Sequence, residues 1–339
     1  MKKILLLSLL IAFFAFPVSA QEEQLNPDHI PPEDFYLGRV IEIVSEEFQE
    51  TPDSRILNQV LKVEILTGNE KGNQITVENA GILTVNSALA VKQGQKVVIY
   101  RTEVNSEPVY YVADTYRLPG LAWVVALFLI LAVALTRLKG LRSILGLAVT
   151  IGVISFFVVP QIVKGSNPML ITLISALVIS VVSIYLSHGF NKRTSVALAS
   201  TLITLGLAAF LATVFVDMSR LFGIGSEEAF YLQFGPLEQL NLRGLLLSGI
   251  ILGVLGVLDD ITTAQSATIE EIKKANPALG FAELYKSGFS VGTEHILSLV
   301  NTLFLAYAGA SLPLFLFFTA NSVQPLWVTL NAGRRGQTL

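Results

Sequence analysis

The run 253-GVLGVLDDITTAQ-265 is small and apolar until it meets two adjacent carboxylates, Asp259 and Asp260, and then turns to hydroxyls and amides. An acid carried by a membrane helix is costly, so by default it marks a place where an ion or a proton is handled. Further along, Glu294 and His295 stand side by side at the head of another apolar run, and His188 closes a third. The spans assigned below bring these groups to one depth at a membrane boundary. Asp259, Asp260, Glu294 and His295 are therefore the candidate coupling or ion site. A competing role exists for each: Asp260 suits the N-cap of a helix beginning near Ile261, and Glu294 suits the positive end of a helix dipole. His188, beside the turn 189-GFNKR-193, reads as an interfacial residue.

The helices that carry these groups have their own pattern. Gly249, Gly253 and Gly256 give the fifth span a smooth face for close helix approach. On the sixth, His295, Ser298 and Thr302 fall on one face at helical spacing, with Asn301 beside them. A glycine face packed on that polar stripe would make a pathway wall. Pro313, with Gly309, is expected to weaken or kink the sixth span, as transporters do around a site.

Other chemistry is sparse. The chain has no cysteine, which removes disulfides, thiolate catalysis and Cys-ligated metals. There is no H-E-x-x-H, G-x-S-x-G, P-loop or Rossmann glycine pattern. Asp259 and Asp260 are neighbours on one helix, whereas an intramembrane aspartyl protease needs two acids from different spans. A metal held by Asp259 or Asp260 with His295 and His188 would have to be assembled from distant segments, and no spacing specifies it. We expect neither an enzyme nor a cofactor.

Composition sets the class. With 52% hydrophobic and only 14% charged residues in 339, the chain is too apolar for an ordinary soluble domain. Its principal partner is the lipid bilayer. A net charge of −3 gives no basic footprint for nucleic acid. Residues 1–20 combine a basic start (Lys2, Lys3), a short apolar core and a small-x-small end (Val18-Ser19-Ala20), the pattern of a secretory signal peptide. This predicts a bacterial plasma membrane.

Residues 21–35 are acidic and proline-rich, a flexible tether in which His29 is solvated. From 36 to 115, apolar and polar residues alternate, for example Leu61, Val63 and Ile65 with Lys62 and Glu64. Strands are predicted near 36–44, 57–66, 73–79, 96–104 and 108–115, enough to close an OB-like or SH3-like barrel. Apolar runs at 119–136, 141–163, 168–187, 194–216, 243–258 and 294–318 are long enough to span a bilayer. Arg137, Lys139, Arg142, Lys192, Arg193, Lys273, Lys274 and Lys286 fall in one set of loops, and only Lys164, Arg220 and Arg243 in the other. That asymmetry places the barrel outside the cell and the segment 259–293 in the cytoplasm. In that segment Asn276 and Pro277 mark the start of a second short helix and Ser287-Gly288 its end. The tail 319–339 is basic and is the ending expected of a truncated or frameshifted product.

The expected fold is thus a polytopic α-helical membrane protein of about six transmembrane helices in the domain 119–318, preceded by an extracytoplasmic all-β domain at 36–115. The runs LLLSGIILGVLGVLDDITTAQSATIEEIKKANP and ELYKSGFSVGTEHILSLVNTLFLAYAGASLPL, with GFNKRT at 189–194, closely resemble the YibE/F family of bacterial multi-pass membrane proteins. The resemblance covers about 36 to 330. It implies a membrane protein that continues through a further span, and it carries over no catalytic or binding residue.

Three functions fit. A transporter or permease-like protein would use the acid and imidazole groups for coupling to an unknown solute. An envelope sensor or assembly protein would relay binding by the barrel to a cytoplasmic partner through 259–293. An intramembrane hydrolase comes third. Gly249 and Gly253 would serve a homo-oligomer as well as one chain.

Overall fold

The computed structural model describes residues 34–51, 54–80, 90–104, 107–225, 227–234 and 237–320. Residues 1–20, expected to be a signal peptide, the expected tether up to residue 33 and the tail from 321 lie outside the described residues.

Five strands form the N-terminal unit: β1 (Asp34–Thr51), β2 (Ser54–Ile65), β3 (Gln74–Ala80), β4 (Lys96–Val104) and β5 (Glu107–Thr115). They close a barrel in the order β1-β2-β3-β5-β4, with β3 and β5 parallel and the other pairs antiparallel. That order is the OB type rather than the SH3 type. The alternation puts Leu61, Val63 and Ile65 of β2 inside with Val40, Val77, Val97 and Ile99. A Cβ at Gly38 would overlap Ile99 and Val63, so only glycine lets β1 cross the core this closely. Gln59 is buried and fully used: its Nε2 donates to Val91 O and Glu46 Oε2, while its Oε1 accepts from Val91 N and Asn79 Nδ2. Tyr110 of β5 donates to Glu70 Oε2 at 2.6 Å, and Arg101 Nε of β4 lies 3.4 Å from the other oxygen, tying the β2–β3 turn to both strands. β1 runs on past the predicted end at 44. Its acidic continuation pairs with β2 as far as Thr51 opposite Ser54, so ladder hydrogen bonds hold what alternation does not reveal.

Eight helices follow among the described residues: α1 (Leu118–Thr136), α2 (Leu138–Val163), α3 (Pro168–His188), α4 (Lys192–Met218), α5 (Glu227–Tyr231), α6 (Leu242–Ala275), α7 (Phe281–Ala310) and α8 (Leu312–Ala320). All but α5 and α8 are long and apolar enough to cross a membrane. α2 takes one wider π turn at Ile154–Val158. Pro160 follows at once and has no N–H to return to Phe156, which is where a wider turn is expected. Three helix starts are capped alike: Asn167 accepts from Leu170 N, Asn191 from Thr194 N and Asn241 from Gly244 N. The sharp turn from α3 to α4 needs Gly189 at φ 77. It is held by Tyr185 stacked on Phe190 and hydrogen-bonded to Ser195.

The bundle core lies among α2, α3, α4 and α6, with Val153, Ala176, Ile179, Leu205, Ala209, Ile251 and Leu255 fully buried. Two element boundaries differ from expectation. α6 does not end at Leu258 but runs 34 residues through both aspartates to Ala275, and Ser287-Gly288 lies inside α7 rather than ending a short helix. The expected weak point near Pro313 is present, because α7 stops at Ala310 and α8 begins at Leu312.

Candidate functional site

α3 and α6 run side by side in the same direction. Gly244 sits against Pro168, where an added Cβ would be 3.2 Å from the proline Cδ, and Asp259 sits against the hydroxyl of Ser183. Fifteen residues separate the two contacts on each helix, so the pair stays in register over about 22 Å at 1.5 Å per residue. α4 packs antiparallel on α6. Arg193 bonds Glu270 at 3.1 Å, Thr201 and Thr262 share a hydroxyl hydrogen bond at 2.7 Å, and Asp217 pairs with Arg243 at the far end.

Asp259 lies between the two ion pairs that tie α4 to α6. It comes sixteen residues after Arg243 and eleven before Glu270, roughly 24 and 17 Å along the helix from the two ion pairs. Level with it, Ser183 is five residues short of the end of α3. The N-cap role expected of Asp260 is corrected, because a cap must precede a helix and Asp260 is in the middle of one. The Oδ1 atom of Asp259 is sealed from solvent and has no hydrogen-bond partner. Nearby hydroxyls are engaged elsewhere: Thr263 Oγ1 donates to the Asp259 carbonyl at 2.7 Å, and Thr262 is taken up by Thr201 and Leu258 O. Asp260 points outward, within electrostatic reach of His188, which Arg193 and Lys139 also approach.

The rest of the expected site is only partly assembled. Gln265 Nε2 donates to Gly288 O at 2.6 Å, and Gln265 also lies over Gly292. Six residues further on each antiparallel helix, this register brings Glu294 to the level of Asp259, as the sequence suggested. Asp259 nevertheless turns to α3. Among the described residues, no group of three or more Asp, Glu or His side chains is placed to hold a metal ion, so the conceivable site from the aspartates, His188 and His295 is not built. The wall of glycines on a polar stripe is also corrected. Added Cβ atoms at Gly249, Gly253 and Gly256 would meet nothing within 4 Å. Ser298, Asn301 and Thr302 are exposed, and the Thr302 hydroxyl donates to Ser298 O. The close approach belongs instead to Gly288 and Gly292 of α7, spaced as small-xxx-small under Gln265 and Ile269.

Sequence reading missed Ser183 and Thr172. Thr172 is fully buried with its Oγ1 unpartnered. The recurrence of Thr172, Ser175, Ser180, Ser183 and Ser187 along one apolar helix is the signal that could have revealed them.

Barrel, spans and buried acid together define a polytopic helical membrane protein with an N-terminal five-stranded β domain. The chain belongs to the YibE/F-like protein family, whose model matches residues 124–334. That match begins inside α1, so the barrel lies outside it, a narrower range than the resemblance suggested. Neither a curated protein nor a solved structure matches the chain.

Proposed function

We propose that the helical unit is a transporter or permease-like bundle, not an enzyme, and that Asp259 is its coupling residue. The observation that carries this reading is the Asp259 carboxylate, held against α3 between the two ion pairs of α4 and α6, with one oxygen sealed and unpartnered. Ser183 meets only one side of the carboxylate, and leaving the other oxygen buried and unmatched costs stability unless a ligand meets it. Asp260 and His188 then form the aqueous approach to it, and Glu294 and His295 flank that approach from α7.

The test is flux through proteoliposomes of the full chain under Na⁺, K⁺ and proton gradients. Replacing Asp259 by Asn is expected to lower flux at least about tenfold at unchanged protein level, as loss of a coupling carboxylate should. Asp260→Asn and His295→Ala should do less. Equal flux in Asp259→Asn and wild type would refute the assignment. The sensor reading draws support from the unbroken course of α6 out of the bundle to Lys273 and Lys274. Capture of a stoichiometric partner through those lysines, with no flux, would favour it.

A further inference from the structure

The α3–α6 seam holds two buried polar atoms without partners, and they lie at opposite ends of it. The common register of Pro168 with Gly244 and Ser183 with Asp259 puts Thr172 level with Ser248, both buried. The Ser248 hydroxyl is occupied by Gly244 O, which leaves Thr172 Oγ1 unsatisfied. Eleven residues along α3, about 16 Å away, Ser183 faces Asp259, whose Oδ1 is the second unsatisfied atom. Between them Ala176 and Ile179 of α3 share one buried apolar cluster with Ile251 and Leu255 of α6 and Leu205 of α4, while the buried Ser175 and Ser180 donate their hydroxyls to Ile171 O and Ala176 O of their own helix. A buried donor or acceptor left without a partner destabilises the fold. Two such losses on one helix pair, separated by an apolar cluster, have an economical explanation if each is met by a passing ligand.

We infer that the α3–α6 seam is a lane for a small monovalent cation, with an oxygen site at Thr172 and Ser248, a second at Ser183 and Asp259, and a hydrophobic gate of Ile179, Ile251 and Leu255 between them. This inference rests on the transport reading above and adds the path and the class of ion. The donors are hydroxyl and carboxylate oxygens, which suit hard cations and not soft metals. Asp259 is the carboxylate turned into the seam while the neighbouring Asp260 is exposed, and one such group repels anions and balances a single positive charge. Divalent ions usually take more carboxylates, and the described residues offer no group of three acidic or histidine side chains. Apolar constrictions between polar sites are an established way to gate ion movement by dewetting.

The chain contains no cysteine, so single introduced thiols report unambiguously. In the full chain reconstituted in liposomes, Thr172→Cys and Ser183→Cys are expected to react with the small cationic reagent 2-aminoethyl methanethiosulfonate from opposite membrane faces. Leu255→Cys should react at least about tenfold more slowly from either face, as a dry constriction requires. Ser248→Cys, level with Thr172, serves if the threonine variant does not fold. Labelling of both polar positions from the same face, protection of both to the degree of Leu255, or ready labelling of Leu255 would each overturn the lane. Because labelling needs no substrate, this result stands apart from the Asp259→Asn flux test. In the same liposomes, Leu255→Ala should open a monovalent-cation leak about tenfold above wild type, again from dewetting lost at the gate, and Asp259→Asn should suppress it. A gate variant without a leak, or a leak indifferent to Asp259, would overturn the assignment of gate and ion.

Discussion

Tyr110 is a residue whose environment can be read in a titration. Burial, then its hydrogen bond to Glu70, pushes the phenol up to about 12. The folded barrel therefore holds the Tyr110 proton more tightly than the unfolded chain, whose phenols titrate near 10. The stabilising contribution is complete below pH 10 and is lost as pH rises through 12. A difference titration of tyrosinate absorbance between the full chain and Tyr110→Phe should show a step near pH 12. A step near 10 would mean that the bond to Glu70 is not kept in solution. The acid pair illustrates the opposite limit of residue-scale reading. Sequence shows that Asp259 and Asp260 are adjacent, and their helical spacing shows that they diverge, but the one that turns inward meets Ser183, one of five Ser and Thr hydroxyls along an apolar helix. Nothing local distinguishes that serine from Ser175 or Ser180, which return hydrogen bonds to Ile171 O and Ala176 O of their own helix.

At the scale of elements, the five strands were legible because one buried face imposes alternation, and the helices because apolar runs exceed a bilayer's thickness. Helix ends were less legible. Asp260 resembles a cap, yet Thr262, Gln265, Ile269 and Glu270 continue to find partners on α4 and α7, and tertiary contact outweighs the local cap signal. The glycines make this testable. Gly288→Val should push α7 from α6, since the first added carbon would already lie 3.1 Å from Ile269 Cγ1. Gly249→Ala and Gly253→Ala meet open space and replace a poor helix former, worth about 1 kcal/mol of helix propensity each. Thermal stability of the detergent-solubilised chain by fluorescence-detected size exclusion should fall for the first variant and hold or rise for the other two. The reverse ranking would show that the α6 glycines are covered by another helix.

At the scale of the whole molecule, the order of a β unit and then a helical unit was readable from the change of period near Leu118, and the family match, starting inside α1, respects the same division. The arrangement of helices was not readable, because apolar faces are alike until polar pairs fix their register. Arg193 with Glu270 and Arg243 with Asp217 do this for α4 and α6. Arg193→Glu should lower the melting temperature of the full chain, and adding Glu270→Arg should restore most of the loss. A double variant no better than the single one would mean that the ions are near but uncoupled.

The unbroken course of α6 has a mechanical consequence. Thirty-four residues make a rod of about 51 Å, some 20 Å more than a hydrocarbon core is thick. A stiff rod pivoting within the bilayer amplifies motion. A tilt of about 10° at the level of Asp259 would sweep the end near Ala275, roughly 24 Å away at 1.5 Å per residue, through about 4 Å, together with the α4 and α7 contacts it carries. Whatever binds beside that carboxylate is therefore in a position to announce itself at a distance.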